Sequence, residues 1–410
     1  MRAAGVLTFR PGVALALACA VATAAGPPAR ADGIRDRFWP VLAALDVPRA
    51  WNLTRGNGAT VAVLDSGVDP AQADLAGSVT VGPDRTAGAN PRGVPPRQVH
   101  GTTMASIIAG HGHGPRGLDG MTGVAPEARV LSLRVILEDD EPGFDRFNSA
   151  ARYRDVIADG IRYAADHGAD VISMSFGRTT PSDRERRAIA YAIDRGAVVV
   201  AAAGNEGDGK PARRPPYSYP ASFPGVVSVA ATDREGRHAG FSSRNSAVVV
   251  SAPGVDIVGA GPGRDYWVGD GTSPATALVA GVAALVRARH PGLAPPLVVQ
   301  ALVTGTAHRP AGGYDPGVGF GTVNAAAALA AADRLAGTRA AGLGLPESRR
   351  FGPGPDSGRP GPAEIALPDT GRLAVPGLAA ALSSTGLLVS LTFLAARRPR
   401  RAAGDNPSDS

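Results

Sequence analysis

The sequence predicts a doubly wound α/β fold, in which a mostly parallel sheet is flanked by helices on both faces. Short apolar runs, typical of buried parallel strands, alternate with segments whose apolar residues recur at helical spacing. Such alternation is characteristic of sheets whose strands are joined by crossover helices. No internal repeat divides the 410 residues, so we expect one large domain with additional segments at its ends.

The predicted elements follow one another along the middle of the chain. The strands are Ala59–Leu64, Ala128–Val135, Val171–Met174, Val198–Ala203, Val226–Ala230 and Val248–Ala252, and the helices are Thr102–Ala109, Tyr153–His167, Arg184–Arg195 and Thr276–Arg289. Gly168 and Gly196 follow two of these helices, where glycine commonly ends a helix. Residues 82–97, 138–147 and 207–220 are polar or Pro-rich, and we expect surface insertions whose charges face solvent.

The N-terminal 31 residues have the pattern of a secretory signal peptide. Two arginines precede the apolar run Val13–Ala25, which leads to the cleavage signal Ala29–Ala31. A buried N-terminal helix is the alternative, but it leaves the charged flanks unexplained. Cys19, the only cysteine, lies inside this segment, so removal of residues 1–31 would leave a chain without disulfides or thiol chemistry.

The rest of the chain divides into five predicted parts. A lead-in of residues 32–55 precedes the main domain, residues 56–335, and a Gly- and Pro-rich linker covers residues 336–372. Residues 373–396 form an uncharged apolar run of 24 residues, and the arginine-rich tail 397–410 follows it. The run is long enough to span a bilayer as a transmembrane helix, with the arginines at its cytoplasmic end.

The overall charge gives no case for nucleic-acid binding. The chain has 42 basic and 36 acidic residues, but seven of the arginines lie in the signal peptide and the tail, as do two aspartates. Residues 31–396 therefore hold 35 basic and 34 acidic residues, which is a nearly neutral body.

Three motifs carry residues suited to nucleophilic catalysis. Asp65 ends a predicted strand, His100 opens a helix, and Ser273 lies at a turn that leads into a helix. A serine hydroxyl needs a neighbouring base, which His100 can provide, and an aspartate can orient the imidazole and stabilise its charged form. An oxyanion needs donors, which the amide of Asn205 and the backbone N–H of Ser273 can supply. Pro274 has no N–H, and it fits only in the first turn of the helix.

Structural roles and other functions are the alternatives to catalysis by these residues. Each of the three residues alone could serve structure, as a strand-end aspartate, a helix-cap histidine and an N-cap serine, and a non-catalytic scaffold or peptide-binding module of a secretion complex is the main alternative. Such a protein would be expected to have lost at least one of Asp65, His100, Asn205 and Ser273. An α/β-hydrolase esterase would instead have the chain order Ser, Asp, His.

The order Asp, His, Asn, Ser resembles the subtilisin-like serine peptidase family over about residues 50–335. The stretch Ser173–Gly177 resembles the family's substrate-pairing strand, and Ser251–Gly254 resembles the stretch before its nucleophile. The resemblance implies a serine endopeptidase acting on polypeptides without a required cofactor. It implies substrate-binding roles for Ser173, Ser175, Phe176, Gly177 and Gly204.

The short lead-in, signal peptide and C-terminal apolar run together resemble the mycosins, subtilases associated with type VII secretion. In that subgroup the lead-in packs on the catalytic body. Leu367–Gly371 reads LPDTG and also resembles a sortase sorting signal. A membrane helix and a sortase-made wall anchor both place the protein on the outer face of the cell membrane or in the wall.

No metal is required by the predicted chemistry. His111 and His113 lie between glycines, without added acids, and are predicted to face solvent. Many subtilisin-like enzymes bind structural calcium, and the loop carboxylates that could contribute are Asp69, Asp74, Asp84 and Asp119, although no ligand-loop spacing is legible.

Overall fold

The computed structural model describes residues 33–207 and 217–337. Its strands are β1 (Thr60–Asp65), β2 (Val79–Val81), β3 (His111–His113), β4 (Asp119–Thr122), β5 (Arg129–Arg134), β6 (Val171–Met174), β7 (Val198–Ala202), β8 (Val227–Thr232), β9 (Val248–Pro253), β10 (Ile257–Ala260) and β11 (Tyr266–Gly269). Its α-helices are α1 (Ile34–Ala44), α2 (Val47–Ala50), α3 (Val99–Ala109), α4 (Phe144–Ser149), α5 (Val156–Asp166), α6 (Asp183–Asp194), α7 (Thr272–Arg289), α8 (Pro295–Thr304) and α9 (Ala325–Gly337). All the strands and helices predicted from the sequence are present.

Seven strands form one sheet in the order β2-β5-β1-β6-β7-β8-β9, and all its neighbouring strands run parallel. The chain adds β5 on one side of β1 and then places β6 on the other side. In doubly wound sheets, the carboxyl ends of the strands at such a reversal form the usual binding crevice. Two antiparallel hairpins, β3–β4 and β10–β11, stand apart from the sheet.

Side chains that alternate along β1 divide between two hydrophobic cores. Val61 and Val63 belong to the core that includes residues of α3 and α7, whereas Ala62 and Leu64 belong to the core that includes residues of α5 and α6. Since successive side chains of a strand point to opposite faces, helices cover both faces of the sheet. The predicted doubly wound α/β architecture is confirmed.

The lead-in is built into the first of these cores. Ile34, Phe38 and Leu42 of α1 are buried there together with residues of the sheet and of α7. The indole N–H of Trp51 donates to the carbonyl oxygen of Val124, at 2.8 Å. The lead-in therefore contributes to the main core.

The prediction that residues 138–147 form a solvated insertion is wrong for its acidic residues nearest the sheet. Glu141 is buried, and its Oε2 lies 2.7 Å from Nη2 of Arg134. Arg134 is also buried and has a second carboxylate, that of Asp84, at 3.1 Å. A carboxylate can leave water when a cation and hydrogen bonds replace its hydration, and Glu141 meets that condition.

Several predictions concern residues that the structure does not describe. They are the signal peptide, residues 208–216 of the third predicted insertion, and the linker from residue 338 onwards with the apolar run and the tail. Among residues 33–207 and 217–337, no helix is both long and apolar enough to cross a membrane. The signal peptide and the transmembrane helix stay predictions.

Candidate active site

Asp65, His100 and Ser273 gather at the carboxyl end of the sheet. Asp65 is the last residue of β1, His100 is the second residue of α3, and Ser273 is the second residue of α7. His100 and Ser273 line one cleft of about 280 Å³. Its walls are largely apolar, with Ile136 and Trp267 among them. The fold thus brings together the three residues that the sequence pattern singled out.

Asp65 and His100 form a short hydrogen bond, with Nδ1 of His100 at 2.7 Å from Oδ1 of Asp65. Both side chains are buried. The bond depends on a close approach of α3 to the turn after β1, because a Cβ at position 101 would clash with the carbonyl oxygen of Gly67. Glycine at position 101 therefore lets the imidazole reach the aspartate. The other ring nitrogen, Nε2, can then act toward the cleft.

The pKa of His100 is raised above its usual range. Burial is the largest single effect and lowers it, since a charged imidazole loses its hydration. The charge of Asp65, its hydrogen bond and the charge of Glu138 together outweigh burial. The site favours the imidazolium, which is the form that a general base reaches after it takes a proton.

Ser273 lies at the N-terminus of α7 with its hydroxyl turned toward a strand end. Its Oγ donates to the carbonyl oxygen of Ser175 at 2.9 Å, and Oγ of Ser175 donates back to the carbonyl oxygen of Ser273 at 3.1 Å. The hydroxyl is therefore bonded to the backbone and not to His100. Pro274 is the third residue of the helix, so its prediction to lie in the first turn is confirmed.

Asn205 follows β7 and is fixed by its carbonyl oxygen. Its Oδ1 accepts from both the backbone N–H and the hydroxyl of Thr272, each at 2.9 Å. The amide nitrogen is then the group that Asn205 can offer to an oxyanion. The backbone N–H of Ser273, in the first turn of α7, is a second donor in a region where the helix dipole favours negative charge.

The predicted substrate-binding residues other than Ser173 lie just after the ends of two neighbouring strands, β6 and β7. Ser175, Phe176 and Gly177 follow the end of β6, and the first of them touches Ser273 as described. Phe176 is buried, so only its backbone is suited to a substrate. Gly204 follows β7 with φ of 106°, a conformation that favours glycine.

Ser173 lies in a different environment from the rest of this group. It is buried within β6, where it pairs with Val63 of β1 on one side and with Val200 of β7 on the other. Since its backbone is already paired within the sheet, this position argues against direct contact with a substrate.

Glu138 is a residue of the site that sequence reasoning missed. Its Oε1 accepts from the backbone N–H of His100 at 2.9 Å and from the hydroxyl of Ser66 at 2.7 Å. The sequence predicts that Glu138 lies in a solvated acidic stretch, and this prediction is wrong because the side chain turns inward beside α3. The available signal was its place just after the strand Ala128–Val135, at the same sheet edge as Asp65.

His111 and His113 are half-buried and hydrogen-bonded, so their prediction to face solvent is wrong. Nδ1 of His113 lies 2.6 Å from Oδ1 of Asp74, and the ring nitrogens of His111 contact the carbonyl oxygens of Gly112 and Ala76. The reason is that both residues belong to the hairpin β3–β4, which packs on the loop after β1. The sequence pattern does not predict this hairpin.

Of the carboxylates that could bind calcium, Asp74 and Asp84 already have other partners. Asp74 is buried and also accepts from the N–H of Met121 and the hydroxyl of Tyr266, while Asp84 pairs with Arg134. Within the described part of the chain, no group of three or more His, Cys, Asp or Glu side chains could hold a metal ion. Structural calcium stays a prediction.

A parallel α/β sheet with a buried Asp–His pair at its carboxyl edge, and a serine on the same cleft as the histidine, is an arrangement found in α/β serine proteases. Residues 56–338 match the subtilase family of serine peptidases, and the chain belongs to that family.

Individual relatives agree with this result. The chain is 38% identical over 246 residues to thermitase from Thermoactinomyces vulgaris, covering 59% of this chain and 79% of thermitase. It is 35% identical over 350 residues to mycosin-4 from Mycobacterium tuberculosis, covering 77% and 75% of the two chains. A solved structure of the MycP3 protease from the type VII (ESX-3) secretion system shares 32% identity with a TM-score of 0.59, covering 75% of this chain and 91% of MycP3. The predicted resemblance to the subtilases, and to the mycosins among them, is confirmed.

Proposed function

We propose that the chain is an endopeptidase that cleaves polypeptides through an acyl-enzyme, with Asp65, His100 and Ser273 as its catalytic triad. The observation that carries this proposal is the 2.7 Å bond between Asp65 and His100 at a cleft that Ser273 also lines. A base that is bonded to its orienting carboxylate serves catalysis only if the nucleophile lies on the same cleft as the base, and Ser273 lies on the cleft that His100 lines.

The mechanism follows from the positions of the donors and acceptors. His100 removes the proton from Ser273 as its Oγ attacks the peptide carbonyl, and the imidazolium is stabilised by Asp65. The oxyanion receives hydrogen bonds from Asn205 and from the N–H of Ser273. His100 then donates its proton to the leaving amine, and a water molecule activated by the same base releases the acid product.

A fluorophosphonate probe tests this proposal without knowledge of the natural substrate. We expect covalent labelling of the wild-type protein at Ser273, detected by peptide mass spectrometry, and no labelling of Ser273→Ala. A protein that folds but does not react, and cleaves no peptide from a diverse library, would support the scaffold or peptide-binding alternative.

We also propose that the enzyme is exported and tethered outside the cytoplasmic membrane, where it works with type VII secretion machinery. The supporting observations are the signal-peptide pattern, the apolar run 373–396 and the similarity to mycosin-4 and to MycP3, which belongs to a type VII system. The apolar run would be held by the hydrophobic effect, whereas sortase action at LPDTG would form a covalent bond to the wall.

The mature C-terminus distinguishes the two anchors. A chain that keeps the tail through Ser410 and is extracted by detergent would show the membrane helix. A chain that ends at Thr370 and is released by wall hydrolases would show sortase attachment. Full-length mature protein free in the medium would contradict tethering of either kind.

A further inference from the structure

We propose that Glu138 is a positioning residue, which caps the helix that carries His100 and holds a second negative charge beside the imidazole. The inference rests on the proposed function of the site and adds a fourth side chain to it. Glu138 lies in the segment between β5 and α4, outside the motifs that define the triad.

The first argument is that the N-cap residue of α3 does not cap this helix with its own side chain. The first N–H groups of a helix have no partner inside it, and a side chain of the N-cap residue usually accepts from one of them. Here the N-cap residue is Gln98, and its side chain makes no capping bond. The N–H of His100 donates to Glu138 at 2.9 Å, and the N–H of Gly101 donates to Ser66 at 3.1 Å. Residues from two distant segments therefore replace the local cap.

The second argument is that Glu138 belongs to a closed network around the aspartate and the histidine. Its Oε1 accepts the hydroxyl of Ser66, whose own N–H donates to Oδ1 of Asp65 at 2.7 Å. Oδ1 of Asp65 is also the atom that is bonded to Nδ1 of His100. A movement of Glu138 would thus disturb both the backbone of His100 and the acceptor that orients its ring.

The segment that carries Glu138 is itself held in place. The N–H groups of Val135 and Ile136 donate to the carbonyl oxygen of Asp65, at 2.9 and 3.3 Å. The N–H of Glu138 donates to Oε1 of Glu141, which is anchored by Arg134. The side chain of Glu138 is only 13% exposed. Its position is therefore set by the end of β1 and by a buried ion pair.

Charged side chains from several elements surround His100. Asp65 comes from β1 and Glu138 from the segment after β5. The other charged residues that line the cleft are Arg97, Asp139, Asp140 and Asp270. Nε of Arg97 lies 3.8 Å from Oε2 of Glu138, and its Nη1 lies 2.5 Å from Oδ2 of Asp140.

The ionisation of Glu138 follows from the same contacts. The pKa of Glu138 is raised overall: burial, the largest effect, and the charge of Asp65 raise it, and its hydrogen bonds to Ser66 and to the N–H of His100, with the charge of the imidazole, offset only part of that rise. An ionised carboxylate at this place favours the imidazolium of His100.

The test compares Glu138→Gln and Glu138→Ala with the wild type and with Asp145→Asn. Glutamine keeps the acceptor Oε1 but removes the charge, alanine removes both, and Asp145 is an exposed acid on α4 that serves as a charge-matched control. The readout is the rate of fluorophosphonate labelling of Ser273 from about pH 5 to 9, which needs no known substrate. Circular dichroism and thermal unfolding report the fold of each variant.

We expect the acidic limb of the Glu138→Gln profile to move to lower pH, because loss of the negative charge makes the imidazole easier to deprotonate. The labelling rate of Glu138→Ala should fall by about tenfold to a hundredfold at the plateau, since a displaced base loses alignment. Glutamine should restore most of that loss, and Asp145→Asn should follow the wild type.

A folded Glu138→Gln variant with an unmoved acidic limb, or a folded Glu138→Ala variant with the wild-type plateau rate, would overturn the inference while the protease assignment stands. If Glu138→Ala does not fold, the position of the acidic limb in the pH profile of Glu138→Gln tests the inference alone. A wild-type protein that is not labelled at any pH would instead overturn the proposed function.

Discussion

The two halves of the candidate active site differ in how completely they are assembled. In the half that carries the base, Asp65 and His100 are already bonded, and Ser66 and Glu138 satisfy the first N–H groups of α3. In the half that carries the nucleophile, Oγ of Ser273 donates to a backbone carbonyl. The base is therefore aligned in advance, whereas the nucleophile is not.

This difference shows where the cost of alignment lies. Reorientation of a hydroxyl needs only rotation about single bonds of Ser273, a fast side-chain motion. Reorientation of His100 would break its 2.7 Å bond to the buried carboxylate of Asp65, and the backbone of His100 is itself held by Glu138 and Ser66. We infer that the structure fixes the part that is harder to realign and leaves the easier part to substrate binding.

The largest expected effect is loss of the nucleophile. Ser273→Ala should abolish peptide hydrolysis, with a fall in kcat of about 10⁶-fold, the size that loss of the catalytic serine has in the related enzyme subtilisin. Steady-state kinetics measure the effect, and thermal unfolding confirms that the variant folds. Substantial hydrolysis by a folded variant would remove Ser273 from the triad and with it the comparison between the two halves.

The next effect concerns the oxyanion donor on the nucleophile side. Asn205→Ala should lower kcat by about 10² to 10³-fold with little change in KM, because its amide acts mainly on charge that develops in the transition state. This range also comes from subtilisin. Since Asn205 also accepts from Thr272, thermal unfolding of the variant must accompany the kinetics. An unchanged kcat would show that Asn205 is not an oxyanion donor.

The pH dependence examines the base side. The pKa of His100 is raised, so the imidazole becomes protonated at a higher pH than an ordinary histidine does. Only the neutral form accepts a proton, so kcat/KM should fall about tenfold per pH unit once the pH drops below that raised pKa. The measurement is kcat/KM against pH in buffers of constant ionic strength. A profile that is flat from about pH 5 to 9 would contradict the role of His100 as base.

The two halves differ in how far the sequence predicts the groups that support their catalytic residues. Ser273, Asn205 and Ser175 lie within or beside local motifs, because each follows a strand or begins a helix whose neighbours are fixed by a few residues of sequence. The structure brings all three together. The sequence predicts Asp65 and His100 for the same reason.

Glu138 and the cap of α3 were not predictable in this way. The contact between Glu138 and His100 joins segments 38 residues apart, and an acidic residue in a polar stretch is usually solvated. The sequence does not predict the hairpins β3–β4 and β10–β11 either, for a related reason. Their strands have only three or four residues, and their pairing and packing, not their composition, hold them in place.

The smallest expected effect comes from Ser66, which supports the base without touching the cleft. Its hydroxyl accepts from the N–H of Gly101 and donates to Glu138. Ser66→Ala would leave a buried N–H without an acceptor, and we expect the free energy of unfolding to fall by about 1–3 kcal/mol.

Because the start of α3 is then less firmly held, kcat of Ser66→Ala should fall about tenfold while KM stays near the wild-type value, since Ser66 does not line the cleft. The measurement is the separate determination of kcat and KM, together with urea unfolding. Ser149→Ala, at an exposed serine of α4, is the matched control and should change neither. A Ser66→Ala variant that is less stable but has the wild-type kcat would show that the bond from Gly101 to Ser66 serves folding alone. The alignment of the base would then depend on the Asp65–His100 bond and on Glu138.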